Sequence, residues 1–288
     1  MEQFASGPKR SYYGKGDVIA YRLNRDGHVP PGRSPVFGAS VLMLLYGDAF
    51  WPTYTTGDNT GLIATDSMKN FIQRETMNFS GYDFEEYVRF LADTFFARYP
   101  QVDGMQVSAT ELPYAALPSA VSSASPVAFA PAGPDRAFAR IEVSRTGVVE
   151  SVAGVRGFKL LRLGGSAFQG FVRDEYTTLP DLVNRPLHMW LDVEWTYAEA
   201  ADALNGGRVV SAARGTVRDV FAAFESGSIQ QVIYQMGARV LETIPSIAEV
   251  RLEANNRTWD TIAERGLEVS VYTDPRPPYG CLGLRLTR

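Results

Sequence analysis

Apolar and polar residues first alternate regularly from Asp17 to Leu23, where Val18 and Ala20 face one way and Ile19, Tyr21 and Leu23 the other, the period of a strand. A polar, Pro- and Gly-rich loop is expected from Asn24 to Pro35, followed by a strongly apolar strand from Val36 to Tyr46. The period then changes. Asp66 to Arg74 reads as a short helix with Thr65 or Asp66 at its cap. Between Asp83 and Tyr99, Phe84, Tyr87, Val88, Leu91 and Phe95 recur at helical spacing. Strands are predicted at Val107–Pro113 and Ala137–Val143, separated by an Ala-, Ser- and Pro-rich loop from Ala115 to Pro134.

The second half repeats this order. A strand is expected near Gly157–Leu163, and Leu187 to Tyr197 alternates with Leu187, Met189, Leu191, Val193 and Trp195 on one face. Two helices follow, one carrying Val217, Val220, Phe221 and Phe224, the other Ile229, Ile233, Met236 and Val240. Strands near Ala248–Glu253 and Cys281–Leu286 close the chain. The pattern implies an α+β protein of two similar halves, residues 1–148 and 149–288, each an antiparallel sheet with two helices on one face. The join is expected around Thr146 to Val155.

Composition narrows the function. The 288 residues are 45% hydrophobic and 21% charged, ordinary for a globular protein, and the net charge of −4 speaks against nucleic acid or an anionic membrane as partner. One cysteine, Cys281, excludes an internal disulfide and fits a reducing, cytoplasmic setting; in its apolar run it reads as a buried packing thiol. Two histidines, His28 and His188, lie far apart and outside any ligand-spaced motif, so no metal site is expected. The N-terminal MEQFASGPKRSYYGKG has no apolar core of signal-peptide length, and no uninterrupted apolar stretch of about 18 residues, enough to span a membrane, occurs.

Four segments carry chemistry. From Phe168 to Pro180 the chain reads FQGFVRDEYTTLP, with Arg185 shortly after. An aromatic face, an Arg173-Asp174-Glu175 cluster that reads as buried and a further arginine suit gripping a flat anion; the alternative is a strand and turn whose charges pair with each other. Lys15 sits between two glycines ahead of a strand, where a solvated turn lysine is the commoner case. Thr65 and Asp66 lie at a helix start, where a plain cap is the commoner case, and Gln230 in Ser228-Ile229-Gln230-Gln231 is otherwise a surface amide.

The runs YYGKGDV, GDN with ATDSMKNFIQ, GFVRDEYTTLP with NRPL, SIQ with IY, NRTW and YTDPRPPYG extend in order from Tyr12 to Gly280. Together they resemble the urate oxidases (uricases), particularly the Bacillus-type bacterial branch. The resemblance implies a tandem T-fold (tunnelling fold) and a homotetramer with active sites at subunit interfaces. It also implies conversion of urate, dioxygen and water to 5-hydroxyisourate and hydrogen peroxide, with no metal or organic cofactor. Carried onto this chain, it makes Lys15 the catalytic lysine and Thr65 its relay partner, with the backbone of Asp66 touching substrate. Phe168 would stack on the purine from a neighbouring subunit, Arg185 and Gln230 would grip its two edges, and Ile229 would line the substrate site. The asparagine that holds dioxygen or water would be Asn256, or Asn255 if the local register shifts.

One position departs from the family pattern. Where the relay histidine should stand this chain has Arg257, which cannot act as a base. Neither His28 nor His188 replaces it by motif; His188 is expected to point off one face of its strand. The alternative implied is a diverged homologue, weakly active, acting on another urate-like heterocycle or only binding purines.

Overall fold

The computed structural model describes residues 11–25, 29–119, 125, 127–199, 202–203, 206–223, 225–266 and 268–288; expectations for His28 and Phe224 fall outside them. The chain forms two compact units: Met1–Gly154 with Glu199–Arg208, and Val155–Ala198 with Val209–Arg288.

In the first unit, β1 (Tyr13–Leu23), β2 (Val36–Tyr46), β3 (Gly104–Glu111) and β6 (Arg136–Ser144) lie side by side in that order, each pair antiparallel, with the start of β7 (Gly147–Arg162) next to β6. Two short strands, β4 (Tyr114–Ala116) and β5 (Phe129–Pro131), pair separately within the stretch expected to be loop. A 3₁₀ turn (Asp48–Phe50) and α1 (Trp51–Thr55) lead toward α2 (Thr65–Asn78) and α3 (Phe84–Arg98). The helical spacing of Phe84, Tyr87, Val88, Leu91 and Phe95 gives α3 one continuous apolar face, and all five are buried. They pack on β3 and β6 of the sheet. Phe37 of β2 stacks on Phe84 and meets Phe79 and Tyr87 at an angle, pinning the helices to the sheet.

The second unit repeats the plan: the end of β7, then β8 (Leu187–Tyr197), β9 (Ile247–Asn256) and β12 (Gly280–Thr287) in spatial order, with α4 (Gly206–Ala223) and α5 (Ile229–Thr243) between β8 and β9 in sequence. The five alternating residues from Leu187 to Trp195 are all buried. Gly237 lets α5 approach closely, because a Cβ there would stand 2.9 Å from Leu252 Cδ1 and 3.0 Å from Leu286 Cδ1. A short hairpin, β10 (Thr261–Arg265) and β11 (Val269–Tyr272), is inserted between β9 and β12. Its residues are largely exposed and lack a buried face, so no periodic signal announced it.

Other details differ from expectation. β1 begins four residues early and includes Lys15, while α2 runs on to Asn78 because Phe71, Ile72 and Thr76 remain buried along its inner face. β7 runs unbroken through the expected join. Cys281 is exposed, since β12 turns it away from the helix-covered face.

Candidate functional site

In the first unit the Lys15 segment and the start of α2 are fastened together. Gly14 has no room for a side chain, since a Cβ would fall 1.9 Å from the Met43 carbonyl oxygen of β2. A bulge follows between Lys15 and Val18, where Asp17 adopts φ 51°. The Tyr13 hydroxyl accepts from the backbone N–H of Ile63 at 3.0 Å, its ring packs edge-on to Phe50, and burial pushes its pKa up to about 12. The Tyr54 hydroxyl donates to the Tyr12 carbonyl at 2.9 Å. These ties hold the loop before α2 on β1, and Gln73 further along α2 donates to the Ile19 carbonyl.

Thr65 is the first residue of α2 and is half-buried. Neither it nor Asp66 caps the helix: the N-cap is Ala64, with no side-chain hydrogen bond. The Asp66 carboxylate instead accepts from Lys69 at 2.5 Å and Asn70 at 2.9 Å. Lys69 chiefly holds that carboxylate below its usual range, with Lys15 adding to the effect, which sets Lys15 and Asp66 in one electrostatic neighbourhood.

In the second unit the loop between β7 and β8 is folded back on itself. Phe168 and Leu182 exchange backbone hydrogen bonds of 2.7 and 2.9 Å, and the Asn184 side chain accepts from Gly165 N–H at 2.7 Å. Arg173 pairs with Asp181, and Asp174 forms a local turn with Tyr176 and Thr177. Contrary to the reading of Arg173-Asp174-Glu175 as buried, all three are exposed; those of its charges that pair stabilise the loop, as the blander alternative held.

That loop delivers Phe168 and Arg185 to one spot. The Arg185 guanidinium lies 5.6 Å from the centre of the Phe168 ring, and Phe171 stacks on Phe168 at 4.9 Å. Arg185 Nε is buried without a hydrogen-bond partner, and burial draws the guanidinium down from its ordinary value. Among the described residues no carboxylate pairs with it. A half-buried cation without a counter-ion is less stable than a paired one, and an anion placed there would offset that cost.

The same loop is laced to the start of α5. Ser166 bridges Ser226, Ala167 N–H donates to the Ser226 carbonyl at 2.7 Å, and Arg185 N–H donates to the Ser166 carbonyl at 2.8 Å. Ser228 caps α5 by accepting from Gln231 N–H at 3.1 Å, while the Gln231 side chain accepts from Gly227 N–H at 2.8 Å, close to a reciprocal capping box. Ile229 is thereby buried and Gln230 exposed in the first turn of the helix.

A third cluster lies on the sheet face away from the helices. Val250, Leu252 and Ala254 are buried on the helix side of β9, and strand alternation adds Asn256 to that side. Asn255 and Arg257 share the opposite face. Asn255 stands between Trp190 and Cys281 in the sheet register, and Arg257 donates its backbone N–H to the His188 carbonyl at 3.0 Å. The Arg257 guanidinium is 3.8 Å from the centre of the Trp190 ring and 3.9 Å from that of Tyr279, and Lys159 Nζ is 4.6 Å from the same indole. His188 packs against Trp259 at 5.6 Å, and Trp259 stacks on Tyr272 at 4.7 Å.

The structure thus gathers Lys15, Thr65 and Asp66 in one unit. In the other it gathers Phe168, Arg185, Ile229 and Gln230, and separately Asn255 with Arg257, while Asn256 points to the helix side. Sequence reasoning did not single out Trp190 and Tyr279, which flank Arg257, or place His188 beside them. Their signal was the shared strand parity of His188, Trp190, Asn255 and Arg257, readable only once strand pairing is known. Among the described residues no group of three or more His, Cys, Asp or Glu side chains is placed to hold a metal ion, and no helix is long and apolar enough to cross a membrane.

Antiparallel sheets with paired helices in two repeats define an α+β protein of the T-fold class. The family model for uricase matches residues 151–281. The uric acid degradation bifunctional protein PucL of Bacillus subtilis is 36% identical over 96% of this chain. The uricase of Haloferax volcanii is 36% identical over 93% of the chain and 95% of its own length. The crystal structure of urate oxidase from Bacillus sp. TB-90 superposes with a TM-score of 0.89 at 34% identity, covering 96% of this chain and all of that one. The chain belongs to the uricase family. It spans about 60% of the length of the Bacillus subtilis bifunctional relative.

Proposed function

We propose that this protein is a urate oxidase, converting urate, dioxygen and water to 5-hydroxyisourate and hydrogen peroxide, with dioxygen as co-substrate and no metal or organic cofactor. The observation that carries the reading is the half-buried Arg185 guanidinium beside the Phe168 ring, with its Nε buried and unpartnered and no carboxylate paired to it among the described residues. A flat anion can stack on such a ring while its edge accepts hydrogen bonds from the guanidinium. Gln230, in the first turn of α5, offers an amide that both donates and accepts, which suits a second purine edge.

In this reading Lys15 takes a proton from urate and Thr65 passes it on, the hydroxyl serving as donor and acceptor in turn. The Asp66 backbone touches substrate, and Ile229 lines its floor. Asn255 is our candidate for holding dioxygen or water above the ring, since it shares a face with Arg257 and Asn256 does not. The Lys15 group and the Phe168–Arg185 group would meet across an interface between protomers of a homotetramer. In their respective sheets β1 and β12 each end the strand order, leaving an edge through which copies can join. A cytoplasmic location belongs to the same proposal.

The test is direct. Protein freed of metal by chelation is mixed with urate, and ultraviolet absorbance, oxygen uptake and peroxide are followed. One oxygen consumed and one peroxide released per urate lost supports the oxidase. Saturable binding of urate or xanthine without turnover would instead support the second reading, a diverged purine binder. That reading is favoured by one observation: Arg257, at the position of the family's relay histidine, is held between Trp190 and Tyr279 and has no base to offer.

A further inference from the structure

Two cationic side chains lie over the indole of Trp190, and a histidine two residues before it on the same strand packs on Trp259. Lys159 comes from β7, Arg257 follows β9, and His188 lies across the strand pair from Arg257. His188 Nδ1, Trp190 Nε1 and Arg257 Nε are all buried with no hydrogen-bond partner. The charged groups that bear on His188 are Lys159, Arg257 and, following β11, Asp274, the one acid among them. Such a cluster holds more potential positive charge than its single acid can offset. The imidazole is the member that gives up its proton.

We propose that His188 is the proton acceptor of this site: neutral when the site is empty, and protonated from solvent when an oxopurine anion settles beside Arg257, so that ligand binding and proton uptake are coupled. The inference rests on the purine-binding reading above and deepens it. Burial is the first cause that draws His188 below its ordinary value; Lys159 and Arg257 add to it and Asp274 opposes. An arriving anion cancels the repulsion from the two cations, so the imidazole's affinity for a proton rises. Thermodynamic linkage then requires tighter anion binding as pH falls from the bound imidazole's pKa toward the free one's, which lies below 6.5, with roughly tenfold in affinity for each unit by which the bound anion raises that pKa. His188 would thus supply, from a neighbouring strand, a titrating group that Arg257 cannot provide.

The experiment uses 8-azaxanthine, a non-oxidisable urate mimic, bound to the full chain. Calorimetry at several pH values from neutrality downward, in buffers of different ionisation enthalpy, counts protons taken up per ligand, after correction for ionisation of the free ligand. Net uptake in the parent that disappears in His188→Gln supports the proposal, because a histidine with only a packing role exchanges no proton on binding. Binding without uptake, or uptake that survives in His188→Gln, overturns it. A parent protein that does not bind 8-azaxanthine refutes the purine reading itself, and this inference with it. Should His188→Gln fail to fold, His28→Gln leaves a single imidazole in the chain, whose titration can be followed by NMR with labelled histidine. A pKa that rises on adding 8-azaxanthine supports the coupling, and one that stays fixed on saturation overturns it.

Discussion

Arg185 and Phe168 stand together with the guanidinium 5.6 Å from the ring centre, although Phe168 is in the loop and Arg185 lies just before β8. The contact follows from the loop's reversal, fixed by the Phe168–Leu182 backbone pair and the Asn184 clasp on Gly165. It leaves a cation with no counter-ion among the described residues beside a stacking surface. Replacing Arg185 by Ala removes charge-assisted hydrogen bonds of about 1.5–3 kcal/mol, so KM for urate and Kd for 8-azaxanthine should rise about ten- to hundredfold. Titration of the variant checks this, and unchanged affinity would place the anion elsewhere.

Lys15 belongs to a strand rather than to a solvated turn, and the bulge after it, with Asp17 in the left-handed region, re-aims the chain. Lys15→Met should lower kcat by roughly 10²- to 10⁴-fold with little effect on 8-azaxanthine affinity, the loss typical of a missing acid–base group. Steady-state rates and binding measured on the same preparation separate the two effects.

Gly14 sets the approach of β1 to β2. Alanine there would put its methyl carbon 1.9 Å from the Met43 carbonyl oxygen, which the strands can relieve only by moving apart. Gly14→Ala should lower the melting temperature and weaken turnover together, since Lys15 is the next residue. A variant with the parent's melting curve would contradict the geometry.

Arg257 contributes packing as well as charge. Two stacked contacts, each about 0.5–2 kcal/mol, are lost in Arg257→His, so the variant should melt lower. If this position belongs to the proton relay, urate oxidation should rise despite that loss. Calorimetric melting and peroxide release are the readouts, and a fall in both would assign Arg257 to structure alone.

Glu249 predicts how the second unit responds to acid. Its carboxylate is nearly buried and accepts from Arg251 and Arg285 at 2.6 Å each. Burial works against the charge, but the arginine hydrogen bonds outweigh it and hold the pKa below the ordinary 4.5. A depressed folded pKa means the stabilisation is present above 4.5 and is lost as pH falls from there through the folded value. Glu249→Gln should therefore destabilise the protein at neutral pH and flatten the loss of stability in acid, as denaturant titrations at several pH values would report.

Much of the fold was legible because half-buried strands and amphipathic helices imprint a period. β2 has the bounds its apolar run predicts and β8 those its alternation predicts, and the apolar residues assigned to α3 and α5 are all buried. The β10–β11 hairpin and the β4–β5 pair were not legible, for neither buries a regular face. Cys281 was misread for a related reason: an apolar run does not say which of its two faces is covered.

By itself the sequence determined the α+β class, the two repeats and the candidate residues for chemistry, because period and residue type are local properties of the chain. Tertiary structure decided which of those residues meet. It turned Asn255 and Arg257 to one face and Asn256 to the other, left Arg185 without a counter-ion beside Phe168, and set His188 across from Arg257. The physical reason is that strand register and loop reversal join positions far apart in sequence. A one-residue shift in either would send every side chain to the opposite face without altering the pattern along the chain.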